Sequence, residues 1–180
     1  MKNMMRATIT VCILLFLCAL TSCAKTGEII MESPETKKDH LQAEMVSFFQ
    51  EHQTEMQAFA LQMEELNDSD PIYDYRYAVK ENALIQFDGE HIKAQGKITK
   101  HPLLSDAAFF RETMAFEWVE WLTVLFDCSG CFFAGYVYDE NDTLYAELYV
   151  FYTEDEPVTD EYTIVEELAE NWYYYCEYRH

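Results

Sequence analysis

Residues 38–67, KDHLQAEMVSFFQEHQTEMQAFALQMEELN, set the architecture of this chain. Leu41, Met45, Phe48, His52, Met56, Phe59, Met63 and Leu66 follow one another at spacings of three or four. An α-helix turns once in 3.6 residues, so these side chains form one stripe on a long amphipathic helix. The helix starts near Lys38, and Asn67-Asp68-Ser69-Asp70-Pro71 ends it. Short polar side chains there compete for the backbone, and the residue before a proline avoids helical geometry.

Beyond this helix the period changes to two. Ile72 to Val79 is rich in tyrosine and alternates loosely. Ala83, Ile85 and Phe87 face one way and lead through the tight-turn pair Asp88-Gly89 into Ile92-Lys93-Ala94. Phe132 to Tyr138, the acidic turn Asp139-Glu140-Asn141-Asp142, and Thr143 to Tyr152 predict a second hairpin. Leu144, Ala146, Leu148 and Val150 share one face of it. Tyr162 to Leu168 and Trp172 to Tyr178 predict a last strand pair around Glu170-Asn171, although Glu166 to Ala169 also suits a helix.

Between the hairpins, Ser105 stands where it can cap a second helix. Phe109, Met114, Trp118, Trp121, Leu122 and Leu125 give that helix an apolar face, widened by Ala108, Phe116, Val119 and Phe126. So wide a face predicts a buried helix, and the less regular period after Phe116 leaves strand as the alternative for its second half. The order helix, strands, helix, strands predicts an α+β domain with helices packed on one face of an antiparallel sheet.

The composition agrees with a folded core. Half the chain is hydrophobic and 16% aromatic, whereas disordered acidic chains lack aromatics. The charge is lopsided: 33 acidic residues against 12 basic, a formal −21. Without residues 1–22, which hold Lys2 and Arg6 and no acid, 10 basic residues face 33 acidic ones and the charge is −23. Such a field repels nucleic acid and anionic headgroups and suits basic proteins, cations or neutral glycans.

The N-terminus has the three parts of a secretory signal. Lys2 and Arg6 are the positive region, Ala7 to Leu20 the apolar run, and small Thr21 and Ser22 precede Cys23. The run is short of the ~20 residues that a membrane span needs. Leu20-Thr21-Ser22-Cys23 resembles the lipobox of bacterial lipoproteins. Cys18 follows bulky Phe16 and Leu17, and Cys12 lies inside the apolar run, so Cys23 is the lipidation site. The resemblance implies a diacylglycerol on the Cys23 thiol, cleavage just before it, and anchoring by palmitate-type acyl chains. Two such chains bury enough CH₂ groups, at ~0.8 kcal/mol each, for a stable anchor. The predicted organisation is a signal peptide at 1–22, lipidated Cys23 and tether to 37, and one domain at 38–180. The ending of the chain is similar in pattern to small uncharacterised α+β proteins of low-GC Gram-positive bacteria, a likeness that implies no activity.

Candidate chemistry is sparse. Cys128-Ser129-Gly130-Cys131 is read as a short disulfide across a turn. A redox pair wants a helix N-terminus, and this motif follows a predicted helix, whose C-terminal dipole disfavours a thiolate. Cys176 is then a buried thiol, a partner for Cys128 or Cys131, or, with His180, part of a Cys₃His zinc set. Asp139-Glu140-Asn141-Asp142-Thr143 alternates oxygen ligands like the start of a calcium loop but lacks its glycine and its bidentate glutamate. Glu117 and Glu120 flank Trp118 and Trp121 as the paired carboxylates of a glycan-cleaving site do, and as surface acids do. His52 reads as a core histidine. The chain has no G-x-S-x-G, H-E-x-x-H, S-x-x-K or glycine-rich phosphate loop.

Tyr136, Tyr138, Tyr145, Tyr149, Tyr173 and Tyr175 fall on predicted strands and form a candidate binding face. The expectation is a membrane-anchored envelope lipoprotein with a non-catalytic binding domain and no cofactor. Its partners are the bilayer, through the diacylglycerol on Cys23, and another envelope protein, with no nucleic acid. The alternative is a thiol–disulfide oxidoreductase or metal-binding protein using Cys128 and Cys131.

Overall fold

The computed structural model describes residues 32–69, 72–88, 93–125, 128–155, 157 and 165–179. The predicted signal peptide, the lipobox-like segment and Cys23 lie outside the described residues, as do Gly89, Ile92, Tyr162 and His180.

Helix α1 spans Pro34–Ser69, so residues 34–37, read as tether, are helical. Its start is written in Ser33-Pro34. Ser33 Oγ accepts from the Thr36 N–H at 3.2 Å, and proline at the first helical position loses no hydrogen bond. The helix kinks at His52 (φ −125°, ψ 23°). Asn67 fastens its far end, donating to the Met63 carbonyl (2.9 Å) and accepting from the Tyr75 N–H (3.2 Å). Met45, Phe48, Met56, Phe59 and Met63 of the predicted stripe are buried, together with Phe49 and Ala60.

Among the described residues eight strands form one antiparallel sheet: β1 (Tyr73–Ala78), β2 (Ala83–Asp88), β3 (Ala94–Ile98), β4 (Trp118–Leu125), β5 (Cys128–Tyr138), β6 (Leu144–Tyr152), β7 (Val165–Ala169) and β8 (Trp172–Tyr178). Their order across the sheet is β3-β2-β1-β4-β5-β6-β8-β7. The β1–β2, β5–β6 and β7–β8 turns each place one residue in the left-handed region: Asn82, Asp142 and Asn171. Asn and Asp enter that region more readily than other residues with a Cβ.

The second helix is a correction. Helix α2 is only Pro102–Asp106, continued by a 3₁₀ turn over Ala107–Glu112, and Trp118–Leu125 is strand β4. A strand in the middle of a sheet is covered on both sides, so it reads as apolar all round, like a buried helix. Val119 points to the α1 side, and Trp118 and Glu120 to the other. The β-branched and aromatic residues of this segment favour the extended form.

α1, α2 and the 3₁₀ turn cover one face of the sheet. Phe110 of the 3₁₀ turn meets Phe48 and Phe59 of α1, Tyr77 of β1 and Phe133 of β5, with ring centroids 5.2–6.1 Å apart. Gly135 marks the closest approach. A Cβ there would collide with the Ala115 carbonyl oxygen and lie 3.2 Å from Met45 Sδ. Gly135→Ala is therefore expected to destabilise the domain by about 1–3 kcal/mol through overpacking, read as a lower urea midpoint.

Candidate functional site

Alternation along the strands sends every second side chain to the sheet face turned away from the helices. Register lines these up across the sheet. One row runs Trp118, Ala134, Tyr149, Tyr175. The next runs Arg76, Glu120, Phe132, Phe151, Tyr173. Phe132 stacks on Phe151 (4.9 Å), Phe151 on Tyr173 (5.3 Å) and Tyr149 on Tyr175 (6.0 Å). Phe132, Phe151 and Cys128 form a second buried cluster, separate from the core under α1.

Two arginine–carboxylate pairs frame this aromatic band. Arg76 grips Glu120 with two hydrogen bonds (2.6 and 3.2 Å), its guanidinium 5.2 Å from the rings of both Phe87 and Trp118. Arg179 grips Glu147 (3.2 and 3.0 Å), and the Tyr149 hydroxyl donates to the same carboxylate at 2.6 Å. Burial raises the Glu147 pKa, but the bonds from Arg179 and Tyr149 outweigh it and leave the carboxyl below its ordinary value.

Burial, opposed by Arg76, pushes the Tyr136 hydroxyl up to about 12. Burial followed by Glu177 brings Tyr175 to about 12, and burial with the Glu147 bond lifts Tyr149 higher still. These phenols therefore stay protonated at physiological pH and present ring faces and O–H donors, not nucleophiles.

Between Arg111 and Arg179 the sequence that builds the band carries acid and no base. From residue 112 to residue 178 the sequence holds no Lys, Arg or His, against 17 Asp and Glu. Strands β4 to β8 all lie in that stretch. This signal was legible in the sequence, and the whole-chain charge conceals it.

Of the predicted binding face, Tyr136, Tyr149, Tyr173 and Tyr175 share the side away from the helices. Tyr138 sits at the end of β5, 41% exposed. Tyr145 is a correction, because the irregular register at Val137/Tyr138 turns it to the helix side. Its hydroxyl donates to Glu35 of α1 at 2.8 Å and its ring meets Tyr178. Lys38 bonds to Glu35 (2.9 Å), and both Lys38 and Tyr145 hold that carboxyl below its ordinary value. Tyr145 therefore docks the start of α1.

The Cys128–Cys131 disulfide is also corrected. Both residues lie within strand β5, where three steps of ~3.3 Å set them ~10 Å apart and on opposite faces, whereas a disulfide needs Cα atoms within ~7 Å. Cys131 lies in the core under α1 and Cys128 in the second cluster. Burial drives the Cys131 thiol well above its ordinary pKa, the reverse of an activated nucleophile. Cys176 pairs in register with Leu148, four residues along β8 from the level of Cys131, so it bridges to neither.

Glu117 precedes strand β4 and Glu120 lies within it. Glu117 bonds Lys80 (3.2 Å) and Glu120 bonds Arg76, so they are no carboxylate pair. Asp139 uses one carboxylate oxygen to accept from the Asn141 and Thr143 N–H groups (2.8 and 2.9 Å), which ties that oxygen to the turn. His52 packs on Phe48 (4.4 Å), with Nε2 3.4 Å from Glu112. Among the described residues no group of three or more His, Cys, Asp or Glu is placed to hold a metal ion.

No protein-family model, curated protein or solved structure matches the chain.

Two outcomes follow from this geometry. Because the Glu147 pKa is depressed by folding, its contribution is present above the unfolded value and fades as pH falls through the folded one. Glu147→Gln should cost about 1 kcal/mol at neutral pH and progressively less as the pH falls through the folded value, measured by urea midpoints. Under native conditions iodoacetamide should label half-buried Cys176 well before fully buried Cys131. Equal labelling rates in a peptide-level assay would contradict the burial described here.

Proposed function

We propose that this chain is a lipid-anchored protein of the bacterial envelope that binds a basic protein partner and performs no catalysis. The sheet face turned away from the helices carries the contact. The supporting observation is the aromatic band of Tyr136, Tyr149, Tyr173 and Tyr175, built on strands from a stretch, residues 112–178, that holds 17 acidic residues and no basic one. Aromatic rings give contact area with little entropy to lose, and neighbouring carboxylates attract and orient a cationic surface. Neutralising a basic enzyme or toxin at the cell surface is the version of this activity that the charge fits best.

In this reading α1 is the N-terminal amphipathic helix that joins the anchor to the domain. Residues 24–33 then separate Cys23 from the helix, a reach of at most ~35 Å. The acidic β5–β6 turn lies near the same end, since Lys37 Nζ donates to the Tyr138 carbonyl at 3.3 Å. That turn keeps the domain off anionic headgroups. Cys128 and Cys131 on opposite faces of β5 favour this reading over one that pairs the two thiols.

Fractionation and capture test the two halves of the reading. Cys23→Ala should release the full chain from the membrane fraction, and retention there would refute the lipid anchor. The full chain should capture a basic envelope protein at low salt and release it at high salt. Tyr136→Ala with Tyr175→Ala should weaken capture at least tenfold. Recovery of nothing at either salt concentration would sink the binding role.

A further inference from the structure

We propose that copies of this chain associate head to tail, edge strand β7 of one copy adding antiparallel to edge strand β3 of the next. Among the described residues β3 pairs only with β2 and β7 only with β8, so these are the sheet's two edges. Each is five residues long. An edge strand offers a row of backbone donors and acceptors to any strand that fits, and its charges decide which strands do.

The edges carry opposite charges. The segment 93–100 (KAQGKITK) holds Lys93, Lys97 and Lys100 and no acid, in a chain with only 12 Lys and Arg in all. The segment 165–170 (VEELAE) holds Glu166, Glu167 and Glu170 and no base. All six of these charged residues are exposed. Like charges directly opposite destabilise a strand pair, so this pattern disfavours β3 against β3 and β7 against β7. It leaves β3 against β7, the one pairing in which the charges attract.

The topology permits that pairing without rearrangement. Every neighbouring pair is antiparallel and the strands number eight, so β3 and β7 run in opposite directions. A copy set beside β7 therefore continues the alternation and keeps its helices on the same side. Lys97 pairs in register with Ile85, and Glu167 with Tyr173. Both belong to the face away from the helices, so a register that sets Lys97 opposite Glu167 matches faces and charges together. Lys93 then falls beside Glu170. Lys97 already bonds Glu81 of its own β1–β2 turn, which holds the ammonium on this edge. Such a contact joins two different surfaces and leaves one edge free at each end, so it builds chains and not closed dimers.

Cysteine cross-linking of the full chain in its membrane tests the contact directly. Lys97→Cys with Glu167→Cys, mildly oxidised, should give a ladder of covalent multimers that the unsubstituted chain and each single variant lack. Equal dimer formation by Lys97→Cys alone would overturn the head-to-tail arrangement. Sedimentation of the full chain in mild detergent is the second measurement. The mean mass should rise with concentration, stay at one copy for the reversal of Lys93, Lys97 and Lys100 to Glu or of Glu166, Glu167 and Glu170 to Lys, and rise again when the two reversed variants are mixed. A single-copy mass for the unsubstituted chain at every concentration, with no ladder, would refute the proposal.

Discussion

Phe110 holds the molecule together. It comes from a 3₁₀ turn, one of the weaker regular structures, yet it is fully buried among rings from α1, β1 and β5. Each edge-to-face or offset contact adds about 0.5–1.5 kcal/mol beyond the area it buries. The connection from β3 back to β4 must therefore pass under α1 and lay this ring down before the sheet can continue. Strand β4 starts a few residues later in the middle of the sheet, beside β1. The cluster adds to the β1–β4 pairing, which joins the first three strands to the last five.

With the helices on one side, the other face takes a different character. Its rings stack along rows fixed by register, and its two arginines are each closed on a carboxylate. The remaining acids stand among phenols that burial keeps protonated. This face presents rings, hydroxyl donors and more acid than base.

The features legible in the sequence were those with one clear period. The stripe from Met45 to Met63 and the alternation from Ala146 to Val150 each have one buried face, and pattern shows which residues occupy it. Trp118–Leu125 misled because a central strand has no polar face to reveal its period of two. The start of α1 was missed although Ser33-Pro34 is a strong cap signal, because Pro and Ser also mark tethers. Cys128 and Cys131 looked paired by spacing, but spacing carries meaning only once the backbone is known: i and i+3 meet on a helix and part on a strand. Alternation alone puts Tyr145 on the wrong face, because one irregularity at Val137/Tyr138 reverses it and nothing in the local sequence announces that.

The absence of basic residues between Arg111 and Arg179 also governs how this protein meets proteases. Enzymes that cut after lysine or arginine have no site anywhere in β4 to β8, folded or unfolded. Most of the sheet would survive such an enzyme as the single fragment 112–179, while the first three strands and their turns, which hold Arg76, Lys80, Lys93 and Lys97, are cut apart and α1 is cut only near its start, at Lys37 and Lys38. The chain thus carries, in its charge pattern alone, a long segment that basic-specific proteases cannot cut.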